Sequence, residues 1–283
     1  MTNSKTSLIN TSDLISLDCE KVIFDCRFDL MNPESGQQEY DAEHIEGAIY
    51  VNLDKVMSSP ITATSGRHPL PSKESFAQFL RTCGVSEKTQ LIAYDNSAGL
   101  FAARFWWMCR WIGHESVAIL NGGINAWKKQ GGSVTAEVPP AKTSGSISVK
   151  ESLEVVVDTE EVIKASQQQN RLIADVRAAE RYRGEVEPID PIAGHVPNAI
   201  NIPLSDNYDS EGQFLTGDQL QQLYLSKLGE YTAKDPIFMC GSGVTACLSR
   251  FCVELARLPP VSVYPGSWSE WIRDPSRGVA TGE

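Results

Sequence analysis

Residues 44–53 read HIEGAIYVNL, and residues 195–204 read HVPNAINIPL. The two stretches carry His, Ala, Ile and Leu at the same spacing and exchange Ile with Val at two further positions. Upstream, FDCR (24–27) answers ADVR (174–177), which aligns Asp25 with Asp175 and Arg27 with Arg177. Downstream, NGGINAW (121–127) answers PGSWSEW (265–271), with a glycine and a tryptophan five residues apart in each. The offsets are 150, 151 and 144 residues. Three landmarks repeated in one order indicate a duplicated domain.

Between the halves, GGSVTAEVPPAKTSGSISVKES (131–152) is rich in Gly, Ser, Pro and Thr and has no apolar period. That composition is expected of an exposed linker. The sequence therefore predicts a first domain over 1–140, a linker over 141–150 and a second domain over 151–283. Within the first half, KVIFDC, QLIAYD and SVAILNGG are short apolar runs ending in polar or small residues, while SKESFAQFLRTCG and GLFAARFWWMCRWIG have helical spacing. RLIADV, PIFMC and VSVYPG repeat the strand pattern in the second half, and TGDQLQQLYLSKLG and GVTACLSRFCVELARL repeat the helical one. Alternating strands and helices predict an α/β fold, each domain a parallel sheet with helices on both faces. The tryptophans of FWWMCRW, with Trp127 and Trp271, fit core packing.

The chain has 283 residues, 41% of them hydrophobic, enough to bury a core in each half. A formal charge of -11 argues against nucleic acid or an anionic membrane as partner, because both need a basic footprint. No apolar run reaches membrane-spanning length. The start, MTNSKTSLINTSDLI, has no basic stretch followed by an apolar one, so no signal or transit peptide is expected. Seven cysteines, with no C-x-x-C pair, fit reduced thiols in the cytoplasm. No His/Cys cluster has metal-ligand spacing, so neither a metal nor a cofactor is expected.

One cysteine stands apart. In CGSGVTA (240–246), Cys240 follows the strand-like PIFM and opens a loop that runs into a helix near Val244. Ligands of parallel sheets bind beyond the carboxyl ends of the strands. Glycines at 241 and 243 allow backbone N–H groups to turn inward as an anion cradle, joined by the amides at the helix start. A cysteine at its centre is expected to be largely thiolate. Cys247 and Cys252 lie on the following helix, where small apolar residues pack. At the corresponding place the first half reads YDNSAGLFAAR, with Asp95 and no thiol, and a solvated carboxylate or turn cap is expected there. Protein tyrosine phosphatases place an arginine after five loop residues, and this chain has Ala246, so that chemistry is disfavoured.

FDCRFDL, HIEGAIYVNLD, YDNSAGLFAARFWWMCRWIGH, NGGINAW, DVRAAERYRGE, GHVPNAINIPL, CGSGVTAC and PGSWSEW together give a sequence that resembles the two-domain rhodanese and 3-mercaptopyruvate sulfurtransferase family over nearly its whole length. The resemblance implies tandem rhodanese-like domains, the first lacking the nucleophile and the second catalytic. It implies a Cys240 persulfide formed from a small anionic sulfur donor, held by the amides of Gly241, Gly243, Val244 and Thr245, and passed to cyanide, a thiol or a protein acceptor. Gly241 and Ser242 stand where thiosulfate-type members carry basic residues, so the loop favours a carbon-linked donor, 3-mercaptopyruvate. A relay of Asp54, His68 and Ser242 is implied, although Asp54 and His68 are further apart than the family pattern leads one to expect. Arg181 matches the first of two donor-binding arginines. The second is absent: EPIDPIAGH offers Ile189 and Asp190 there, leaving Arg183 and Arg67 as candidate replacements. A thiosulfate sulfurtransferase and a non-catalytic persulfide carrier are the alternatives. His44, His114 and His195 are expected to be structural hydrogen-bonding groups.

Overall fold

The repeat takes the form of two units of the same topology in the computed structural model, which describes residues 5–210, 212–229 and 235–283. One unit comprises Met1–Ser59 with Leu70–Leu153, the other Pro60–Pro69 with Glu154–Glu283. Residues 60–69, inside the range expected for the first domain, therefore group with the second.

The first unit runs β1 (Leu8–Ile9), α1 (Thr11–Ile15), β2 (Lys21–Asp25), α2 (Ser35–Ala42), β3 (His44–Ile45) and β4 (Ile49–Tyr50). It continues with α3 (Lys73–Thr82), β5 (Gln90–Tyr94), α4 (Ala102–Trp111), β6 (Val117–Leu120), α5 (Gly123–Lys129) and β7 (Val134–Thr135). Five strands form a parallel sheet in the order β1-β6-β5-β2-β4, and β3 and β7 pair antiparallel. Every residue of β5 and β6 is buried, as continuous apolar strands inside a helix-covered parallel sheet must be. Along α4 every residue from Ala102 to Arg110 is buried, Trp106 and Trp107 fully.

The second unit runs α6 (Thr159–Gln168), β8 (Ile173–Asp175), α7 (Ala179–Tyr182), β9 (Ala199–Asn201) and a 3-10 turn at Leu204–Asn207. Then follow α8 (Gly217–Leu228), β10 (Ile237–Met239), α9 (Val244–Leu255), β11 (Ser262–Val263) and α10 (Ser267–Trp271). Its parallel sheet has the order β11-β10-β8-β9, which repeats β6-β5-β2-β4. Val156 pairs parallel with Val263 in the place that β1 takes beside β6. The stripe Val244, Cys247, Leu248, Phe251, Cys252 and Leu255 recurs at helical spacing and turns α9 onto the sheet, burying both cysteines.

The sequence landmarks coincide with duplicated hydrogen-bond sets. Arg27 Nη2 donates to Asp25 at 2.6 Å and to the Glu43 carbonyl at 2.6 Å; Arg177 Nη2 donates to Asp175 and to the Gly194 carbonyl at the same distances. Tyr40 stacks on His44 at 3.9 Å, and Tyr182 on His195 at 3.8 Å. In each pair the histidine Nδ1 lies 2.7 Å from the tyrosine carbonyl, and the tyrosine hydroxyl donates to the alanine carbonyl of the AI dipeptide. His44 and His195 thus brace the turn before β4 and β9. His114, buried, meets the Thr89 carbonyl through Nε2, and its imidazole is pushed below its ordinary range chiefly by burial.

Of the two sequence expectations for Asp95, a solvated carboxylate or a turn cap, the structure shows the cap. Asp95 directly follows β5, as Cys240 follows β10, and is 1% exposed. Its carboxylate accepts N–H groups from Ser97, Gly99, Phe101 and Ala102 at 2.8–3.0 Å. The first unit therefore has an amide cradle filled by its own side chain. Burial pushes the Asp95 carboxyl above its ordinary value, and the four N–H groups pull against that rise. Asp95→Ala strands those donors and should cost about 3 kcal/mol or more. Calorimetry should show a lowered thermal midpoint, and an unchanged midpoint would contradict the assignment.

Residues 141–150 have no helix or strand, as the composition suggests, yet they are not a free tether. Gly145 donates to the Arg81 carbonyl, Ile147 to Val85 and Lys150 to Ile112, and the Ile147 side chain is buried. Ile147 satisfies an apolar gap that a Gly/Ser composition does not advertise.

Candidate active site

Cys240 stands at the carboxyl end of β10, 2% exposed, in the loop that leads to α9. Its Sγ accepts the Gly243 N–H at 3.1 Å, a three-residue closure that curls the loop around the sulfur. Gly243 has φ of +80° and is the residue preceding α9. Val244 and the side chain of Ser242 are buried, and Thr245 is half-buried in the first turn. First-turn amides have no acceptor within their own helix, so those of Val244 and Thr245 remain available to an anion.

A second segment, missed as a site by sequence reasoning, walls this loop. Trp268 N–H donates to the Cys240 carbonyl at 3.0 Å and Ser269 N–H to the Gly241 carbonyl at 2.9 Å. The Ser267 hydroxyl accepts the Cys240 N–H at 3.0 Å and lies 4.0 Å from the sulfur. Ser267 is fully buried with φ of +54°, a strained conformation for a serine. The sequence marks PGSWSEW as a repeat, but nothing in its composition assigns its serines to a loop 27 residues upstream.

His68 and Ser242 come together. His68 Nδ1 lies 2.7 Å from Ser242 Oγ, and both side chains are buried. The pair spans 174 residues of sequence. Asp54 belongs to the first unit, follows β4, is exposed, and donates its backbone N–H to Asn52 Oδ1 at 2.9 Å.

Arg181 points to the same loop. A side chain built at Gly241 would lie 3.6 Å from Arg181 Nη2 and 3.2 Å from Arg67 Nη2, so both guanidinium groups face this bare backbone. Arg181 is held by Glu187, at 2.6 Å through Nη2 and 3.2 Å through Nε. Burial would raise the Glu187 carboxyl, but Arg181 and the N–H groups of Asp190 and Ile189 hold it below the ordinary carboxylate range. Arg183, a candidate replacement, makes a bidentate surface ion pair with exposed Glu185, at 2.8 Å on both arms. Asp190 is buried and pairs with both Arg67 and Arg181, while Ile189 is exposed.

Behind the loop lies a further cation that sequence reading did not place there. Arg177 sits 4.8 Å over the Trp268 ring and pairs with Asp175 and Glu187. Burial disfavours its charge, yet Asp175, Glu187 and the Cys240 sulfur hold its proton more firmly than usual. Among the described residues no group of three His, Cys, Asp or Glu side chains could hold a metal. No described helix is long and apolar enough to cross a membrane.

A cysteine cradle thus stands at the carboxyl end of a parallel strand in one of two repeated units, and the other unit's cradle carries an aspartate. The chain belongs to the rhodanese family: the rhodanese-like domain matches residues 11–130 and 158–274. It is 39% identical over 264 residues to a probable 3-mercaptopyruvate sulfurtransferase of Pseudomonas aeruginosa, covering 93% of each chain. It is 35% identical over 264 residues to a putative thiosulfate sulfurtransferase of Mycobacterium tuberculosis, covering 92% of this chain and 90% of that one. The crystal structure of SseA from Escherichia coli, a 3-mercaptopyruvate sulfotransferase with the rhodanese fold, matches with a TM-score of 0.80 at 31% identity. That match covers 94% of this chain and 100% of SseA.

Proposed function

We propose that this protein is a 3-mercaptopyruvate sulfurtransferase whose second unit carries the chemistry. The Cys240 sulfur attacks the thiol sulfur of the donor. The donor's carbon–sulfur bond breaks, and its electron pair passes to carbon as the enolate of pyruvate. The proton that was on the donor thiol moves through Ser242 and His68 to that carbon, leaving pyruvate and a Cys240 persulfide anion. Cyanide or a thiol then attacks the outer sulfur, the sulfur–sulfur bond breaks, and the Cys240 thiolate returns. The amides of Gly241, Gly243, Val244 and Thr245 hold the persulfide, and Arg181 holds the donor carboxylate. Asp54 enters as the third relay member from the family pattern alone.

The 2.7 Å contact of His68 with Ser242 carries this reading. A carbon leaving group must be protonated, whereas sulfite leaving thiosulfate is already a stable anion, so a proton relay beside Cys240 serves the carbon-linked donor. Seven free cysteines support a reducing compartment, the cytoplasm. The test compares kcat/KM for 3-mercaptopyruvate and thiosulfate, with cyanide as acceptor, in wild type and in His68→Asn and Ser242→Ala. Wild type should prefer 3-mercaptopyruvate. Each relay variant should lose about 100-fold or more with that donor and far less with thiosulfate. Equal losses with both donors, or a wild-type preference for thiosulfate, would favour the thiosulfate sulfurtransferase.

A further inference from the structure

The second donor-binding arginine is absent from EPIDPIAGH, yet a second guanidinium stands over the catalytic loop. We infer that Arg67 is the other cation of the donor site, forming with Arg181 a two-armed clamp for the carboxylate and keto oxygen of a 2-oxo acid; this rests on the reading just proposed. The Nη2 atoms of Arg67 and Arg181 come within 3.2 and 3.6 Å of the place a side chain at Gly241 would occupy, directly beside Cys240. The missing side chain of Gly241 lets both cations approach the loop backbone this closely.

Their common anchor is the residue found where an arginine would be expected. Asp190 receives Arg67 Nη1 on one carboxylate oxygen and Arg181 Nη2, at 3.4 Å, on the other. The Arg67 backbone is fixed independently, its N–H donating to Ser269 Oγ at 3.0 Å, and Ser269 in turn donates to the Gly241 carbonyl. Arg67 is thus held in place while part of its fork remains unused. Its buried Nε has no hydrogen-bond partner among the described residues. Being adjacent to His68, Arg67 would couple donor placement to the relay through one short segment. An Asp190 that spans two guanidinium groups replaces an arginine at its own position by fixing one brought in from residue 67.

Steady-state kinetics and charge-selective alkylation of Arg67→Ala and Arg67→Lys test this. For Arg67→Ala, kcat/KM for 3-mercaptopyruvate should fall about 10- to 100-fold. Arg67→Lys, which keeps the charge and loses the fork, should fall between Arg67→Ala and wild type. Alkylation of Cys240 supplies a readout that needs no turnover: the rate with iodoacetate relative to iodoacetamide should drop about tenfold in Arg67→Ala. If wild type turns over 3-mercaptopyruvate and Arg67→Ala leaves both kcat/KM and the alkylation ratio unchanged, the clamp is wrong and the donor assignment stands. If wild type fails with 3-mercaptopyruvate yet the alkylation ratio drops in Arg67→Ala, the donor assignment fails and the carboxylate site at Arg67 stands.

Discussion

Cys240→Ser is expected to lower sulfur transfer from any donor by about four orders of magnitude or more, with no change in thermal midpoint. A hydroxyl cannot form the sulfur–sulfur bond on which both half-reactions depend. It is close to the thiol in size, so the packing around a residue 2% exposed survives. The contrast with other thiols sharpens the expectation. Burial pushes the Cys26, Cys109 and Cys252 thiols up, leaving them inert as nucleophiles. Cys252→Ala should therefore retain turnover, a comparison read by the same cyanide assay. Residual transfer above a few percent in Cys240→Ser would mean that another group carries sulfur.

Gly243→Ala is the second large effect. At φ of +80° any other residue is strained, by roughly 1–2 kcal/mol. Space adds to strain: a Cβ at Gly243 would lie 2.2 Å from the Pro265 carbonyl oxygen, well inside contact. The loop and the 265–269 segment would have to part, and with them the N–H contacts that seat the Cys240 and Gly241 carbonyls. The Gly243 N–H would also leave Cys240 Sγ. Activity should fall about 100-fold or more, with a destabilisation of roughly 2–4 kcal/mol seen in thermal melting. Gly241→Ala is the informative partner, since the nearest atoms there are arginine side-chain ends that can give way. Its melting should be close to wild type while donor KM rises.

Much of the fold was legible because it is written in local pattern. QLIAYD and PIFMC are apolar runs that end where a polar loop must begin, and α4 and α9 follow from helical apolar spacing. The Cys240 loop was legible for the same reason, since strand, cysteine, glycines and helix are consecutive. What surrounds the loop was not. His68 and Ser242 are 174 residues apart, and Arg67 and Ser269 are 202 apart, so their meeting leaves no period in the chain. A turn cap was one of two expectations for Asp95, and only the fold reveals that four N–H groups close on it. EPIDPIAGH reads as a lost arginine, and only the fold shows that its Asp190 pairs with Arg67 and Arg181.

The most direct measurement is the intact and peptide mass of the protein after incubation with 3-mercaptopyruvate in the absence of acceptor. One added sulfur atom on the peptide carrying Cys240, removed by cyanide with stoichiometric thiocyanate and absent in Cys240→Ser, is the predicted result. An unmodified Cys240 peptide while pyruvate is released, or the added sulfur on a different cysteine, would contradict transfer through a Cys240 persulfide.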